Sequence, residues 1–290
     1  MDNIYYINRL TEKKEQEQVP AGGTIRFFYN NPIGKAGLNI LFKRKVISAL
    51  GGWLFNTKFS KKKITRFVAE HNIDLAEYEE KSYTHFNDFF YRKIKAKNRP
   101  IQNGVVSPAD GKILVFPTIK DVDSFFIKGS EFCLQDFLAD KDLTQKYANG
   151  SMAIIRLAPT DYHRFHFPAD GEISETKLIK GVYYSVSPLA LKQSLEIFCQ
   201  NKRTISILKS DAYNDILISE VGATMVGSIL QTYNPNTQVK KGDEKGYFAF
   251  GGSTLVLLFE EGKIAFSQDL IQNTKNGLET TVKMGQTIGE

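Results

Sequence analysis

Cysteine is scarce in this chain. Two occur among 290 residues, Cys133 and Cys199. With no Cys-x-x-Cys and no Cys/His cluster at zinc-ligand spacing, neither a disulfide framework nor a structural metal is indicated, and a reducing compartment is the simplest reading. Long hydrophobic runs are missing too. None approaches the ~18 residues that make a spanning helix a candidate, so nothing here need cross a bilayer. The stretch from Met1 to Val19 is polar and mixed in charge, without the apolar core of a cleavable export signal. There is one tryptophan, Trp53. What the chain does have is bulk: 42% of its residues are hydrophobic, enough to fill the core of one large domain or two modest ones.

Acidic residues are sparse in one region only. Residues 1–100 hold 19 Lys+Arg against 10 Asp+Glu, a balance of +9, so the remaining residues carry 19 against 22, or −3, within the total of +6. The excess gathers in Lys43-Arg44-Lys45, Lys61-Lys62-Lys63 and the run from Arg92 to Arg99. Such clusters can meet nucleic acid or anionic lipid, or simply face solvent. The neighbours favour lipid over nucleic acid. Between Pro32 and Phe55, Leu38, Leu41, Val46, Leu50, Trp53, Leu54 and Phe55 alternate with cations, as an interfacial helix requires. Gly51-Gly52 breaks the period and predicts two short helices, with a buried helical subdomain as the competing reading.

In chain order, Ile4–Ile7 and Thr24–Tyr29 read as extended segments, and residues 35–80 read as helical. Within the latter, Ser60 precedes a basic helix over Lys61–Glu70, Asp74–Tyr78 can begin another, and Thr84–Phe90 resembles a capped helix start. Asn98-Arg99-Pro100 ends the helical pattern, which places a domain boundary near residue 100. Beyond it come short β-rich runs: 105–106, 111–116, 125–127, 153–157, 171–173, 204–208, 216–218, 224–226, 254–259 and 264–266, with one helix from about Pro188 to Cys199. The expected class is therefore α+β: a basic helical N-terminal region over 1–100 and a β-rich domain of antiparallel sheets, sandwich- or barrel-like, over 101–290.

Three local patterns carry chemistry. The first is Phe250-Gly251-Gly252-Ser253-Thr254 between two strand-like runs. Glycines allow close approach and unusual dihedrals, so the Ser253 hydroxyl can reach the Gly252 carbonyl, although a surface turn would look the same. The second is Pro-Ala-Asp-Gly-x-Ile, found at 108–113 and again at 168–173. Each copy reads as a turn entering a strand. The third is the decapeptide 159–168, which holds His163 and His166 beside Asp161, Tyr162 and Arg164. On a straight strand the two histidines face opposite ways, so they share a cavity only if the segment bends. No sequence-local third ligand supports zinc there. His71 and His85 are given no role.

Taken together, Val106–Gly111, Asp161–His166, Asn201-Lys202-Arg203, Val221–Ala223 with Val226–Ile229, and Lys241–Glu244 leading into Gly251-Gly252-Ser253-Thr254 follow one another as in phosphatidylserine decarboxylases. The chain resembles that family over essentially all of 100–290. Many bacterial members have Leu-Gly-Ser-Thr where this chain has Gly-Gly-Ser-Thr, and the Gly-Ser pair itself is intact.

The resemblance implies a self-processing proenzyme. Ser253 attacks the Gly252 carbonyl in an N-to-O acyl shift, β-elimination follows, and hydrolysis leaves a pyruvoyl group at position 253. Residues 1–252 become a large subunit and 253–290 a small one. His166 is implied as the base, with Asp110 stabilising its imidazolium, and His163 as the donor that protonates the carbanion after CO2 is lost. Asp161, Arg164 and Asn201 take supporting places. The pyruvoyl carbonyl, through a Schiff base with the substrate amine, serves as electron sink, so neither pyridoxal phosphate nor metal is required. The implied partners are phosphatidylserine and an anionic membrane surface, at the cytoplasmic face of the cell membrane, with no nucleic acid. A homodimer is compatible with this. Two other readings stay open: a pyruvoyl-dependent decarboxylase of a soluble amino acid, and a non-catalytic lipoyl- or phosphocarrier-like β module.

Overall fold

The computed structural model describes residues 4–17, 52–122, 132–182, 184, 196–223, 228–249, 251 and 253–290. The extended segment at 24–29, the strands at 125–127 and 224–226, and the start of the helix near Pro188 lie outside them. So does most of 32–55, of which 52–55 is helical.

In chain order the elements are β1 (Tyr5–Ile7), β2 (Lys14–Gln16), α1 (Lys62–His71), α2 (Phe86–Phe90), β3 (Val105–Val106), β4 (Gly111–Phe116), α3 (Leu134–Leu138), α4 (Lys141–Tyr147), β5 (Ser151–Leu157), β6 (Arg164–His166), β7 (Gly171–Ile173) and β8 (Lys177–Ile179). There follow α5 (Glu196–Gln200), β9 (Arg203–Ser210), β10 (Asn214–Gly222), β11 (Ile229–Gln231), β12 (Thr237–Val239), β13 (Glu244–Phe248), β14 (Ser253–Phe259), α6 (Gln268–Lys275), β15 (Glu279–Val282) and β16 (Thr287–Gly289). Most strands join one sheet in the order β12-β7-β9-β10-β14-β5-β4-β15-β1-β2, with β8 on β9. Pairing is antiparallel except where β1 lies parallel to β15. The N-terminal arm is thus an edge of the same sheet as the residues beyond 100.

The long strands are near-continuous apolar runs because both faces are covered. On β14 alternate residues separate two cores. Leu255, Leu257 and Phe259 pack with Ile113, Ile155, Ile218 and Phe165, whereas Val256 and Leu258 pack with Leu114, Ile154, Phe137 and Phe198.

Among the described residues, three helices in the β-rich part come in addition to the one expected there. α4 is started by Asp140, whose side chain accepts from Asp142 N and Leu143 N at 3.2 Å, and α3 and α6 also form. At five to eight residues each they are too short for a helical period to show. Asp74–Tyr78 makes only a single tight 3-10 turn at Leu75–Glu77, capped by Asp74. The expectation at Thr84–Phe90 is met by α2, whose first turn is capped by an unanticipated group, His85 Nδ1, accepting from Asp88 N at 3.0 Å. Residues 264–266 contribute only a bridge from Phe266 to Gly289.

The two Pro-Ala-Asp-Gly copies lie side by side. Val106 N donates to Pro168 O at 3.0 Å and His166 N to Pro108 O at 2.8 Å. This antiparallel contact brings Asp110 and the decapeptide together with a C-terminal strap, residues 283–286, whose Gly285 N donates to Ser107 O at 3.0 Å.

Candidate active site

Ser253 opens β14, opposite Gly222 on β10 and Leu157 on β5. It is fully buried, at 0% exposure. Gly251, just before the Gly252-Ser253 pair, sits at φ 138°, a value that residues with a Cβ rarely adopt. Gly252 and Phe250 lie outside the described residues. The cross-strand neighbour is pinned by Asn201, whose amide donates to Gly222 O at 2.8 Å and Tyr184 O at 2.9 Å while accepting from Tyr184 N. Asn201 therefore braces the strand that faces Ser253.

The decapeptide does bend. Asp161 N donates to Ala158 O at 2.9 Å, and Asp161 Oδ2 accepts from Ala158 N at 2.7 Å, closing a turn from which His163 emerges. Burial pushes the Asp161 carboxyl up. His163 Nδ1 lies 3.5 Å from Ser253 Oγ, a long contact of the kind that tightens as a proton moves. Its other nitrogen, Nε2, is 3.0 Å from Ala158 O. A carbonyl only accepts, so Nε2 carries the proton and Nδ1 presents its lone pair to the serine hydroxyl. Phe90 of α2 stacks on the ring, centroids 3.9 Å apart and planes 19° apart. Burial first, and the nearby Arg92 charge second, push His163 down to about 3, against its backbone hydrogen bonds. At neutral pH the imidazole is uncharged and able to accept.

His166 is held elsewhere. Its Nδ1 is 2.9 Å from Gly242 O and its Nε2 is 3.0 Å from Tyr162 Oη. The carbonyl fixes the proton on Nδ1, so Tyr162 donates to Nε2 and both nitrogens are spoken for. Burial lowers this imidazole too.

Asp110 makes no hydrogen bond to His166, although its charge favours the His166 imidazolium from a distance. Arg99 donates to both carboxylate oxygens at 2.9 and 2.6 Å, Lys283 Nζ lies at 3.2 Å, and Met284 N donates at 2.8 Å. Burial alone would raise the carboxyl, but the Arg99 hydrogen bonds and the two cations outweigh it and hold it below the usual range. The direct hydrogen bonds of Asp110 thus form a brace between the N-terminal region and the C-terminal strap, and what reaches His166 of the relation implied by the resemblance is the charge alone. The two cations and a backbone N–H satisfy the buried anion better than a neutral imidazole would.

An expected result follows for Asp110→Asn. It leaves Arg99 and Lys283 without their buried counter-charge and lowers unfolding free energy by about 3 kcal/mol in urea titration. The pH profile of self-cleavage in the folded fraction stays that of the parent, whereas an Asp110–His166 couple would shift it.

The remaining groups have structural places. Arg164 Nη1 bonds both oxygens of Glu244 at 2.8 Å and its Nε donates to Tyr91 O. Asp170, the second copy's aspartate, accepts from Lys241 N at 2.7 Å. Lys245 is fully buried and bonded to Glu220 at 2.6 Å. Among the described residues no three His, Cys, Asp or Glu side chains gather as a metal site requires. Sequence reasoning missed Phe90 and Arg92. The available signal was the arginine ending Phe89-Phe90-Tyr91-Arg92, since a cation next to an aromatic run needs a specific partner once buried.

Comparison with known proteins agrees with the motif order. The sequence profile of the family described as phosphatidylserine decarboxylase matches residues 86–290. A "Phosphatidylserine decarboxylase proenzyme" of Fusobacterium nucleatum is 51% identical over 293 residues, covering 99% of this chain and 98% of the relative. Proteins of the same name from Chlamydia trachomatis and Clostridium beijerinckii are each 45% identical, covering 99% of this chain and 97% and 98% of theirs. With a serine facing an uncharged imidazole at the position where the Gly-Ser pair falls, and with identity of this extent along the whole length, the chain belongs to the phosphatidylserine decarboxylase family.

Proposed function

We propose that this chain is a proenzyme that cuts itself between Gly252 and Ser253 and then decarboxylates phosphatidylserine to phosphatidylethanolamine. As a member of its family it is a carboxy-lyase. The single observation that carries the mechanism is the lone pair of His163 Nδ1 directed at Ser253 Oγ.

His163 accepts the hydroxyl proton as Oγ adds to the carbonyl of residue 252. The C–N bond breaks, the proton passes to the departing amine, and an ester joins residue 252 to Oγ. Removal of the Ser253 α-proton then expels the 252 carboxylate and leaves an alkene at 253, which takes up water and releases ammonia to give the ketone. The residues present fit that group: a small oxygen-bearing side chain, buried, faced by glycine on one strand and served by one uncharged imidazole. The ketone supplies an electron sink for an α-amino carboxylate when substrate is bound. His163, uncharged and screened from water by Phe90, holds and returns a proton at Nδ1. His166 and Tyr162 keep the neighbouring wall rigid.

Peripheral attachment to the cytoplasmic face of a membrane is part of the proposal. Its support is an exposed stretch in which Trp53, Leu54 and Phe59 stand beside Lys58, Lys61, Lys62 and Lys63. Among the described residues no helix is long and apolar enough to span a bilayer.

The test combines vesicles and mass analysis. Incubated with vesicles rich in phosphatidylserine, the protein should pellet with them, form phosphatidylethanolamine one-for-one with CO2, and contain a 38-residue fragment (290 − 252) beginning at position 253 with a ketone in place of the amine. Turnover of free serine with the lipid left intact would favour the soluble-substrate reading.

A further inference from the structure

A cavity of about 250 Å³ opens beside α2, with Lys81, Arg92, Lys93 and Arg164 in its wall together with Asp88 and Glu79. The acidic groups do not cancel the cations evenly. Asp88 is taken by Lys81 at 2.6 Å, and Arg164 by Glu244 from outside the cavity. Arg92 and Lys93 have no carboxylate partner among the described residues.

Arg92 is the unusual member. It is 2% exposed, and its Nε has no acceptor. Its other nitrogens reach Tyr78 Oη and Thr160 O at 3.1 Å and the carbonyls of Phe89 and Phe90 only at 3.4 and 3.5 Å. The guanidinium also lies over the Tyr78 and Phe89 rings, at 4.2 and 4.7 Å, so its charge is partly compensated by the aromatic faces but balanced by no carboxylate.

The location suggests where the anion comes from. α2 connects two sites. At one end, Asn87 bonds Asn56 and Phe86 N bonds Ser60, which ties it to the exposed apolar and cationic stretch. At the other, Phe90 stacks on His163.

We propose that this cavity is the subsite for the phosphodiester of a glycerophospholipid headgroup, with Arg92 and Lys93 as its specificity-determining cations. The inference rests on the lipid-decarboxylase reading and names where that substrate's phosphate sits. Guanidinium and ammonium are the groups that bind phosphate oxygens. A diester entering the cavity brings an anion beside Arg92 and Lys93, neither of which a carboxylate balances.

The experiment has two arms. In the first, the full-length Ser253→Ala chain, which performs no chemistry, is titrated calorimetrically with glycerophosphoserine and with inorganic phosphate. Glycerophosphoserine should bind, more weakly as salt rises, and Lys93→Glu on the same background should weaken it about tenfold or more. In the second, decarboxylation of a dissolved short-chain phosphatidylserine is followed, so that vesicle binding plays no part. Lys93→Glu should raise KM by about tenfold with kcat within twofold, and self-cleavage should be unchanged because Lys93 is exposed. Unchanged KM in Lys93→Glu, or no binding of glycerophosphoserine, overturns the proposal. Equal affinity for inorganic phosphate overturns the headgroup assignment in favour of a free-phosphate site. Parent protein that cleaves itself but leaves the dissolved lipid untouched sinks the functional reading instead, and the binding arm still reports on the cavity.

Discussion

Ser253→Ala stays a single 32.8 kDa chain, with no fragment starting at position 253 and no detectable decarboxylation. In the proposed route the hydroxyl oxygen is the atom that attacks and the atom later expelled as part of the ester, so no neighbouring group can substitute for it. The fold should tolerate the change. Ser253 makes one long contact to His163, and losing it costs at most about 1 kcal/mol. Gel electrophoresis and intact-mass analysis read the outcome, and thermal unfolding shows that the variant is native. Ser253→Cys, which keeps a nucleophile, should still cleave, but slowly. Cleavage of the alanine variant at 252/253 would remove Ser253 from the mechanism altogether.

His163→Gln should slow self-cleavage by about 10²- to 10⁴-fold, the usual worth of a positioned base, while His166→Gln cleaves near the parent rate. The contrast separates the two histidines of the decapeptide, because only His163 lies against Ser253. Both variants need a thermal scan, since each ring is buried and bonded. The pH dependence gives a second readout. With His163 at about 3, the imidazole is already deprotonated throughout pH 5–8, so the cleavage rate should be flat there. A base left at its ordinary 6.5 would make the rate fall across that range.

Stability behaves differently from rate. The folded-state value lies below the unfolded one, so the unfolded chain binds the extra proton. The contribution of a neutral His163 is complete above about 6.5 and is lost as pH falls towards 3, by about 1.4 kcal/mol per pH unit from this one group. The lowered His166 adds in the same direction. The raised Asp161 acts the opposite way, so the His163 share is read as the part of the fall in urea midpoint between pH 8 and 5 that His163→Gln removes.

The central sheet was readable because β4, β5, β9, β10 and β14 are long and buried on both sides, which writes them as β-branched and apolar runs bounded by turns. The three-residue edges β8, β11, β12 and β16 were not readable: each is held by a neighbour rather than by its own composition. At the site, residue type was enough to select Ser253, His163, His166 and Asp110. Their assignment to one another was not legible. It depends on a turn closed by Asp161 and Ala158, and on Arg99, Lys283 and Met284, which are far from Asp110 in sequence or close only through the strap. Phe90 and Arg92 belonged, by sequence, to the basic N-terminal region, and only the fold carries them to His163.

The place of β14 in the sheet sets what the proposed cut at 252/253 can do. β14 lies between β10 and β5, hydrogen-bonded along both edges, with all seven of its residues buried. A cut at 252/253, as proposed, would therefore release no piece: the short fragment would stay threaded through the middle of the long one. The cut would also make folding a one-way passage. The uncut precursor closes the sheet as one molecule, whereas two separated fragments would have to meet in solution and seat an apolar middle strand between partners already exposed to each other and to aggregation. A protein cut in this way would be expected to persist by the slowness of its unfolding rather than by its ability to refold.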